Sequence, residues 1–270
     1  VNWVHRYSIA FEVAQSFELR RAVMLSCSRM PNKYYEAGAQ RRAKVGDLFA
    51  TIAPRYDLIN DLQSFGLHRF WKQRLVRLAA PRPGLRALDV CCGTGDVSFA
   101  LAQQGAEVTG LDFSEPMLAV ARRRSERTPE PNVQSPRFHL GDAEQIPFPD
   151  QSFDIVTISY GLRNLSSWEQ GLSEMWRVAR PGGRLLVLEF GKPDNAVWRA
   201  LYFGYLRTCV PVFGKVFCGD GHTHAYILES LKHYPAQHGV AAKMGELGCR
   251  HAKILPLLGG VMTINHGVKP

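Results

Sequence analysis

The chain has 270 residues, 46% of them hydrophobic and 21% charged, enough to bury a full core in one domain of ordinary size and too apolar for a disordered chain. Lys and Arg exceed Asp and Glu by 33 − 24 = 9, which suits an anionic partner such as nucleic acid, an acidic membrane surface or an anionic cofactor, and equally an uncommitted basic surface. The six cysteines, at 27, 91, 92, 209, 218 and 249, show neither a Cys-x-x-Cys pair nor a disulfide-type spacing, so a reducing compartment fits best.

Residues 1–43 read as an N-terminal extension, poorly ordered or dispensable, because the first 30 or so carry no convincing period. Met30 is a plausible start, and a targeting peptide, suggested by Arg6, Arg20, Arg21 and Arg29, is opposed by Glu12 and Glu18. Residues 44–80 then place Val45, Leu48, Phe49 and Ile52 at helical spacing, followed by Tyr56-Asp-Leu-Ile-Asn-Asp61 and Gly66-Leu-His-Arg-Phe-Trp-Lys72. This stretch predicts a helical cap able to exclude water from a site, or else a structural helix pair with Tyr56 and Trp71 in the core.

The next stretch, Arg86-Ala-Leu-Asp-Val-Cys-Cys-Gly-Thr-Gly-Asp96, is an apolar strand running into a glycine turn and a helix. Gly93 and Gly95 let a ligand lie against the backbone, and the helix start offers free N–H groups. A second strand ends at Asp112, whose carboxylate can take both hydroxyls of a ribose. Ser98 stands where a dinucleotide fold has its third glycine, and no Tyr-x-x-x-Lys pair occurs, which disfavours a nicotinamide dehydrogenase.

Strands and helices alternate from there: strand 86–90, helix 96–104, strand 106–111, helix 115–126, strands 137–140 and 153–158, helix 167–179, strand 184–190. The fold class is α/β, a doubly wound, mostly parallel sheet. Ligands in such sheets bind beyond the carboxyl ends of the strands, which directs the reading to Ser159-Tyr-Gly-Leu-Arg-Asn164. Residues 194–224 form an aromatic-rich insertion with Trp198, Tyr202 and Tyr205 at i, i+4 and i+7 and a break at Pro211. It suits an apolar lid, a surface touching lipid headgroups or plain core packing, and Arg199 and Arg207 exclude an ordinary spanning helix. A helix near 226–230, another near 236–247 and strands near 251–257 and 260–266 close the chain. Cys218, His222 and His224 lie close in sequence without an obvious fourth ligand, and no metal is assigned to them.

Gly-Thr-Gly-Asp, with Gly141-Asp-Ala143 after the third strand and Arg180-Pro-Gly-Gly-Arg184 before the fifth, resembles the class I S-adenosylmethionine (SAM) methyltransferases, a Rossmann-like fold. From residue 44 onward the chain resembles more closely the UbiE/MenG family of ubiquinone and menaquinone biosynthesis C-methyltransferases. That likeness rests on Phe49-Ala-Thr-Ile-Ala-Pro-Arg-Tyr-Asp57, Asn60-Asp61 with Gly66-Leu-His-Arg-Phe-Trp-Lys72, Gly161-Leu-Arg-Asn164, Leu188-Glu-Phe190 and His266-Gly-Val-Lys-Pro270. Lys215 to His224 match less well. The resemblance implies methyl transfer from SAM to a ring carbon of a polyprenylated quinol. It implies SAM contacts at Thr94, Asp112, Asp142, Ala143 and Ser159, with Gly93 and Gly95 shaping the turn.

Carbon methylation needs an electron-rich ring, so a quinol hydroxyl near pKa 10 must lose its proton to a positioned group. Arg163 stays protonated and is expected to stabilise the phenolate, orienting a water together with Asn164. Asp96 is the candidate proton acceptor through that water, or merely the helix cap and anchor of the methionine amino group. Tyr56, Asn60 and His68 are expected to line the quinol head, with His68 an alternative base. Rival functions are a small-molecule O- or N-methyltransferase and a non-catalytic SAM-fold scaffold. Ser159-Tyr-Gly-Leu replaces the Pro-Pro-aromatic element of base-amine methyltransferases, so no nucleic-acid partner is expected. Peripheral contact with the inner face of the membrane from the cytoplasm is expected, with a homodimer or a quinone-synthesis assembly as further options.

Overall fold

The computed structural model describes residues 53, 56–127, 133–218 and 228–270 and, of 211–218, the backbone alone. The expected extension 1–43, the first cap residues 44–52, residues 219–224 of the insertion with 225–227 after it, and the Cys218 side chain lie outside the described residues, His222 and His224 among them.

Among the described residues two helices, α1 (Tyr56–Ser64) and α2 (Leu67–Ala79), precede the sheet. Then come β1 (Arg86–Val90), α3 (Asp96–Gln103), β2 (Glu107–Asp112), α4 (Glu115–Arg127), β3 (Arg137–Leu140) and β4 (Phe153–Ser159). A short 3₁₀ turn, Leu162–Asn164, leads to α5 (Trp168–Val178), β5 (Ala179–Phe190) and the long α6 (Ala196–Cys218). A helical stretch at 228–233, α7 (Ala236–Glu246), β6 (Arg250–Leu257) and β7 (Met262–Val268) complete the chain. The seven strands form one sheet in the order β3-β2-β1-β4-β5-β7-β6. β1 to β5 run parallel, whereas β7 is antiparallel to both β5 and β6.

The central strands are near-continuous apolar runs because both faces are covered. Period-two alternation sends Ile155 and Leu186 into one layer, with Leu75, Leu101, Tyr202 and Leu206 of α2, α3 and α6. Val156 and Val187 go into the other, with Leu172, Met175 and Val240 of α5 and α7. The edge strand β3 is only four residues long and mostly exposed, as edges that resist further pairing are.

Helix α2 is integral to this core. Leu75 and Ala79 are fully buried, and Arg184 Nη1 donates to the Ala79 carbonyl at 2.7 Å, satisfying an orphan acceptor at the end of α2. Trp71 is therefore core, as the structural reading of the cap had it.

Two sequence expectations change. The Arg180-Pro-Gly-Gly183 stretch does not precede β5 but bulges within it: Ala179 pairs with Phe153 and Arg184 with Ile155, while Gly182 takes φ 78°. Helix α6 also continues through Pro211 as one element to Cys218, because proline removes one ladder hydrogen bond while its own φ stays helical. Leu75→Ala is expected to lower stability by about 2–5 kcal/mol in urea unfolding. A loss well below that range would show that α2 is not part of the cooperative core.

Candidate active site

Cys91 (φ 53°), Gly93 (φ 55°) and Gly95 (φ 88°) all take left-handed backbone, folding the chain sharply between β1 and α3. The Gly95 N–H closes the turn on Cys92 O at 2.9 Å. A Cβ on Gly95 would come within 2.9 Å of Phe99 and 3.0 Å of Phe138, whereas one on Gly93 would meet nothing nearer than Met117 Cε at 4.0 Å. The front of the turn is thus open at Gly93 and its back is packed.

Asp112, at the end of β2, fastens the neighbouring strand to this turn. Its Oδ2 accepts the Gly93 N–H at 2.8 Å and its Oδ1 the Ser114 N–H at 2.9 Å. Burial pushes its carboxyl up to about 6 in spite of those donors.

Along the carboxyl ends of β1, β2 and β4 runs a cleft of about 430 Å³, lined by Tyr56, Gly93, Asp112, Ser159, Tyr160 and Asn164, among others. A second hollow of about 390 Å³ adds Gly141, Asp142 and Ala143. The two share Cys91, Asp112, Phe113, Asn164 and Leu165, which makes one continuous crevice. It lies where strand order reverses, between β1 and β4, the binding position of open α/β sheets.

The structure thus brings together Gly93, Asp112, Asp142, Ala143, Ser159, Asn164 and Tyr56. The other sequence candidates are not among its lining residues. Thr94 turns its hydroxyl to Asp57 Oδ1 of α1 at 2.8 Å, and Gly95 sits against the two phenylalanines behind the turn. Asn60 lies on α1, with its Nδ2 buried and that atom without a hydrogen-bond partner among the described residues.

His68, expected at the quinol head, is 3% exposed and bound through Nε2 to Asp61 Oδ1 at 2.8 Å. Arg69 in turn grips Asp61 with two bonds of 2.7 and 2.6 Å. Burial lowers the His68 pKa despite the carboxylate, so the ring is neutral at pH 7.

Asp96 is the clearest correction. Lys72 Nζ holds its Oδ2 and Arg124 Nη1 its Oδ1, each at 2.8 Å. Burial works to raise this carboxyl, but the two cations outweigh it and hold it down to about 2. A carboxylate so stabilised is a poor proton acceptor, and its geometry is that of an anchor for α2 and α4 at the start of α3.

Arg163 departs from expectation in direction. Its side chain is 7% exposed and turned inward, with Nε 3.1 Å from Glu189 Oε1 and the backbone N–H on Glu189 Oε2 at 3.2 Å. Nη1 donates to Asn164 Oδ1 at 2.5 Å and to Ser230 Oγ at 3.2 Å. Sequence reasoning quoted Lys72, Tyr160 and Glu189 within motifs yet gave them no role. The available signals were the i, i+4 spacing of Lys72 from His68 and an acidic residue inside an apolar strand.

The crevice suits an adenosine-like ligand carrying a charged tail. Asp112 offers a carboxylate for a diol, the open Gly93 turn accepts a close approach, and Ser159 Oγ is buried with no hydrogen-bond partner among the described residues. In architecture the chain has the Rossmann-like fold of class I SAM-dependent methyltransferases. A SAM-dependent methyltransferase of Aquifex aeolicus shares the fold, with a TM-score of 0.56 at 15% identity, covering 82% of this chain and 98% of that one.

The ubiE/COQ5 methyltransferase family model matches residues 37–269. The chain is 40% identical over 236 residues to the ubiquinone/menaquinone biosynthesis C-methyltransferase UbiE of Ectopseudomonas mendocina, covering 86% of this chain and 91% of that protein. It is 42% identical over 225 residues to the demethylmenaquinone methyltransferase of Beutenbergia cavernae, covering 83% and 90%. The chain belongs to the ubiE/COQ5 methyltransferase family.

An ionised Asp112 is the better acceptor for ligand hydroxyls, so SAM affinity is expected to fall, by up to tenfold per unit, as pH drops below about 6. Asp112→Asn should weaken binding and flatten that dependence. Isothermal titration from pH 5 to 8 checks it, and an unchanged slope in the variant would show that another group titrates.

Proposed function

We propose that this protein methylates a ring carbon of a polyprenylated quinol with SAM as donor. The observation that carries this reading is the juxtaposition, at the end of β4, of a donor cleft and a buried phenol-and-guanidinium cluster. Tyr56, Tyr160 and Asn164 line the cleft, and Arg163 is bonded directly to Asn164 behind them.

In this reading Asp112 takes the ribose hydroxyls, Asp142 and Ala143 face the adenine, and Gly93 and Ser159 hold the methionine portion. Thr94 and Gly95 shape the turn. When bound, SAM supplies an electrophilic methyl group on a sulfonium. The protein's own work is to align the ring, exclude water and stabilise phenolate charge, and the sulfonium's loss of charge puts the weight on alignment and desolvation. Arg163 supplies the positive charge, Asn164 holds the guanidinium, and Tyr56 meets the quinol head. Asn60 and His68 brace α1 and α2 behind it.

Among the described residues no helix is long and apolar enough to cross a membrane. The exposed Phe65 and Phe70 of the α1–α2 region and Val197 and Leu201 of α6 nonetheless suit peripheral contact with a bilayer, where a prenyl tail would be found. Tyr205 Oη ties α6 to the Gln63 carbonyl of α1 at 3.2 Å. The described part of the 194–224 insertion then acts as a lid between site and membrane on its inner, cytoplasmic face, and a homodimer or quinone-synthesis assembly is compatible with that placement.

Methyl transfer from labelled SAM to demethylmenaquinol and to the demethylated ubiquinol precursor, each offered reduced and oxidised, tests the reaction. Carbon-methylated product is expected from reduced substrates only. Product on oxygen, or none from any substrate with SAM binding intact, would refute it. Sedimentation with anionic vesicles should show binding at low salt that weakens as salt rises, and no binding at low salt would remove the membrane claim.

A further inference from the structure

Gly171 is buried inside α5. Glycine in a helix is less favourable than alanine because a freer backbone has to be fixed, and Gly171 has no left-handed φ that would call for it. The reason is space. A Cβ at this position would overlap Leu165 Cδ1, while Ala143 O and Leu162 Cδ1 would stay in ordinary contact at 3.8 Å. The end of the Leu165 side chain is therefore seated in a notch that the missing side chain leaves on the helix.

Leu165 follows the 3₁₀ turn after β4 and lines both hollows of the crevice. It also packs against the core layer that holds Leu162 and Leu172. Its backbone is fastened on both sides. The Asn164 N–H donates to Gly161 O at 3.0 Å and the Leu165 N–H to Leu162 O at 3.3 Å. The next amide, Ser166 N–H, donates to Glu144 Oε1 at 2.6 Å, and Ser167 Oγ caps α5 by accepting the Gln170 N–H at 3.1 Å. Glu144 shares the wall of the second hollow with Asp142 and Ala143, so its bond to Ser166 ties the loops on the two sides of that hollow together. A methyl group added at Gly171 thus meets a side chain whose backbone is held. The packed core lies behind Leu165 and the hollow in front, so the hollow is where its displaced end must go.

We propose that Leu165 and Gly171 together set the size of the heteroaromatic base that the donor site accepts. Leu165 is the specificity-determining side chain, and Gly171 is the positioning residue that keeps it out of the hollow. This inference rests on the reading that seats the adenine of SAM beside Asp142 and Ala143. The hollow suits a flat purine, since Leu111, Phe113 and Leu165 supply apolar surface while Asp142 and Glu144 supply carboxylates for an exocyclic amino group.

Selection of this kind follows from packing. An apolar pocket discriminates through volume that is filled or overlapped, and one wall of this pocket is a single leucine whose other side fits the notch on α5. Glycine gives up helix propensity at position 171, and the return appears only when a base is bound. Unliganded Gly171→Ala is therefore expected to melt no lower than the wild type, because alanine favours the helix and only the flexible end of one side chain has to shift.

The test is a double-mutant cycle read by binding. Isothermal titration compares S-adenosylhomocysteine on the whole wild-type protein, Gly171→Ala, Leu165→Ala and the double variant. Gly171→Ala should weaken binding roughly 10- to 100-fold. The same change should have no more than about a twofold effect where Leu165 is already alanine. Derivatives carrying a propyl group at C2, N6 or C8 of the base extend the test, and at least one should bind Leu165→Ala about tenfold more tightly than it binds the wild type. In quinol methylation Gly171→Ala should raise the KM for SAM and leave kcat and the quinol KM in place. A general disturbance of the loop, which carries Asn164, would move kcat or the quinol KM instead.

Equal losses in both backgrounds would overturn the proposal, as would a Gly171→Ala protein that binds S-adenosylhomocysteine like the wild type or loses kcat with the SAM KM unmoved. If Gly171→Ala fails to fold, Leu165→Ala decides: tighter binding of a propyl derivative supports the proposal, and no gain with any of the three refutes it. Wild-type protein that binds S-adenosylhomocysteine yet methylates no quinol would strike the functional reading alone, since the binding measurements need no acceptor. Wild-type protein that does not bind S-adenosylhomocysteine would overturn the donor reading and this inference with it.

Discussion

The crevice exists because the chain leaves β1 in one direction and returns on the other side of it. Helix α3 carries it from β1 out to β2, whereas β4 joins β1 on the opposite edge, so the loops following β1 and β4 diverge and leave a crevice among the described residues above them. Residues at both lips, Cys91 and Tyr160, take left-handed backbone at φ 53° and 59°, a strain of order 1–3 kcal/mol each that persists only where surrounding structure enforces it. The lips meet at Gly161, where a Cβ would fall 2.5 Å from Cys91 Cβ. The close approach of the two strand ends thus sets how near a ligand on one lip can come to a side chain on the other.

Two charge systems are built on this edge, and they differ in what surrounds them. The outer one runs from Lys72 to Asp96 to Arg124, with Arg124 also on the Thr94 carbonyl at 2.9 Å and 3.4 Å from Asp57. It straps the two leading helices onto the cofactor turn while keeping partial contact with water. The inner one, Arg163 and Glu189, is buried. An exposed pair such as Arg122–Glu115 is worth about 0–1 kcal/mol, whereas breaking a buried pair costs about 3–5 kcal/mol by stranding the remaining charge. A buried pair is weak evidence of stability in itself, and its persistence beside a ligand cleft is better explained by what its charges do there.

The apolar patches follow from the same layout. Helix α6 covers the sheet face with Tyr202, Leu206 and Val210 and leaves Val197 and Leu201 outside. An aromatic-rich helix therefore reads as core along one side and as a contact surface along the other, which is why its role was ambiguous from spacing alone.

Local chemistry determined much of this protein before any folding. The glycine turn, the period-two strands and the alternation of strand and helix set the α/β architecture, and β1 and β3 occupy the predicted residues. That Asp112, Asp142, Ala143 and Ser159 would border the crevice was legible because strand ends in a parallel sheet point to one edge. Only the tertiary structure decided where charges go once neighbours from distant parts of the chain arrive. Asp96 reads as a free carboxylate at a helix start until Lys72 and Arg124 close on it, and Arg163 reads as facing the cleft until Glu189, 26 residues later, draws it inward. Burial and ion pairing depend on which groups share a low-dielectric space, and no spacing along the chain records that.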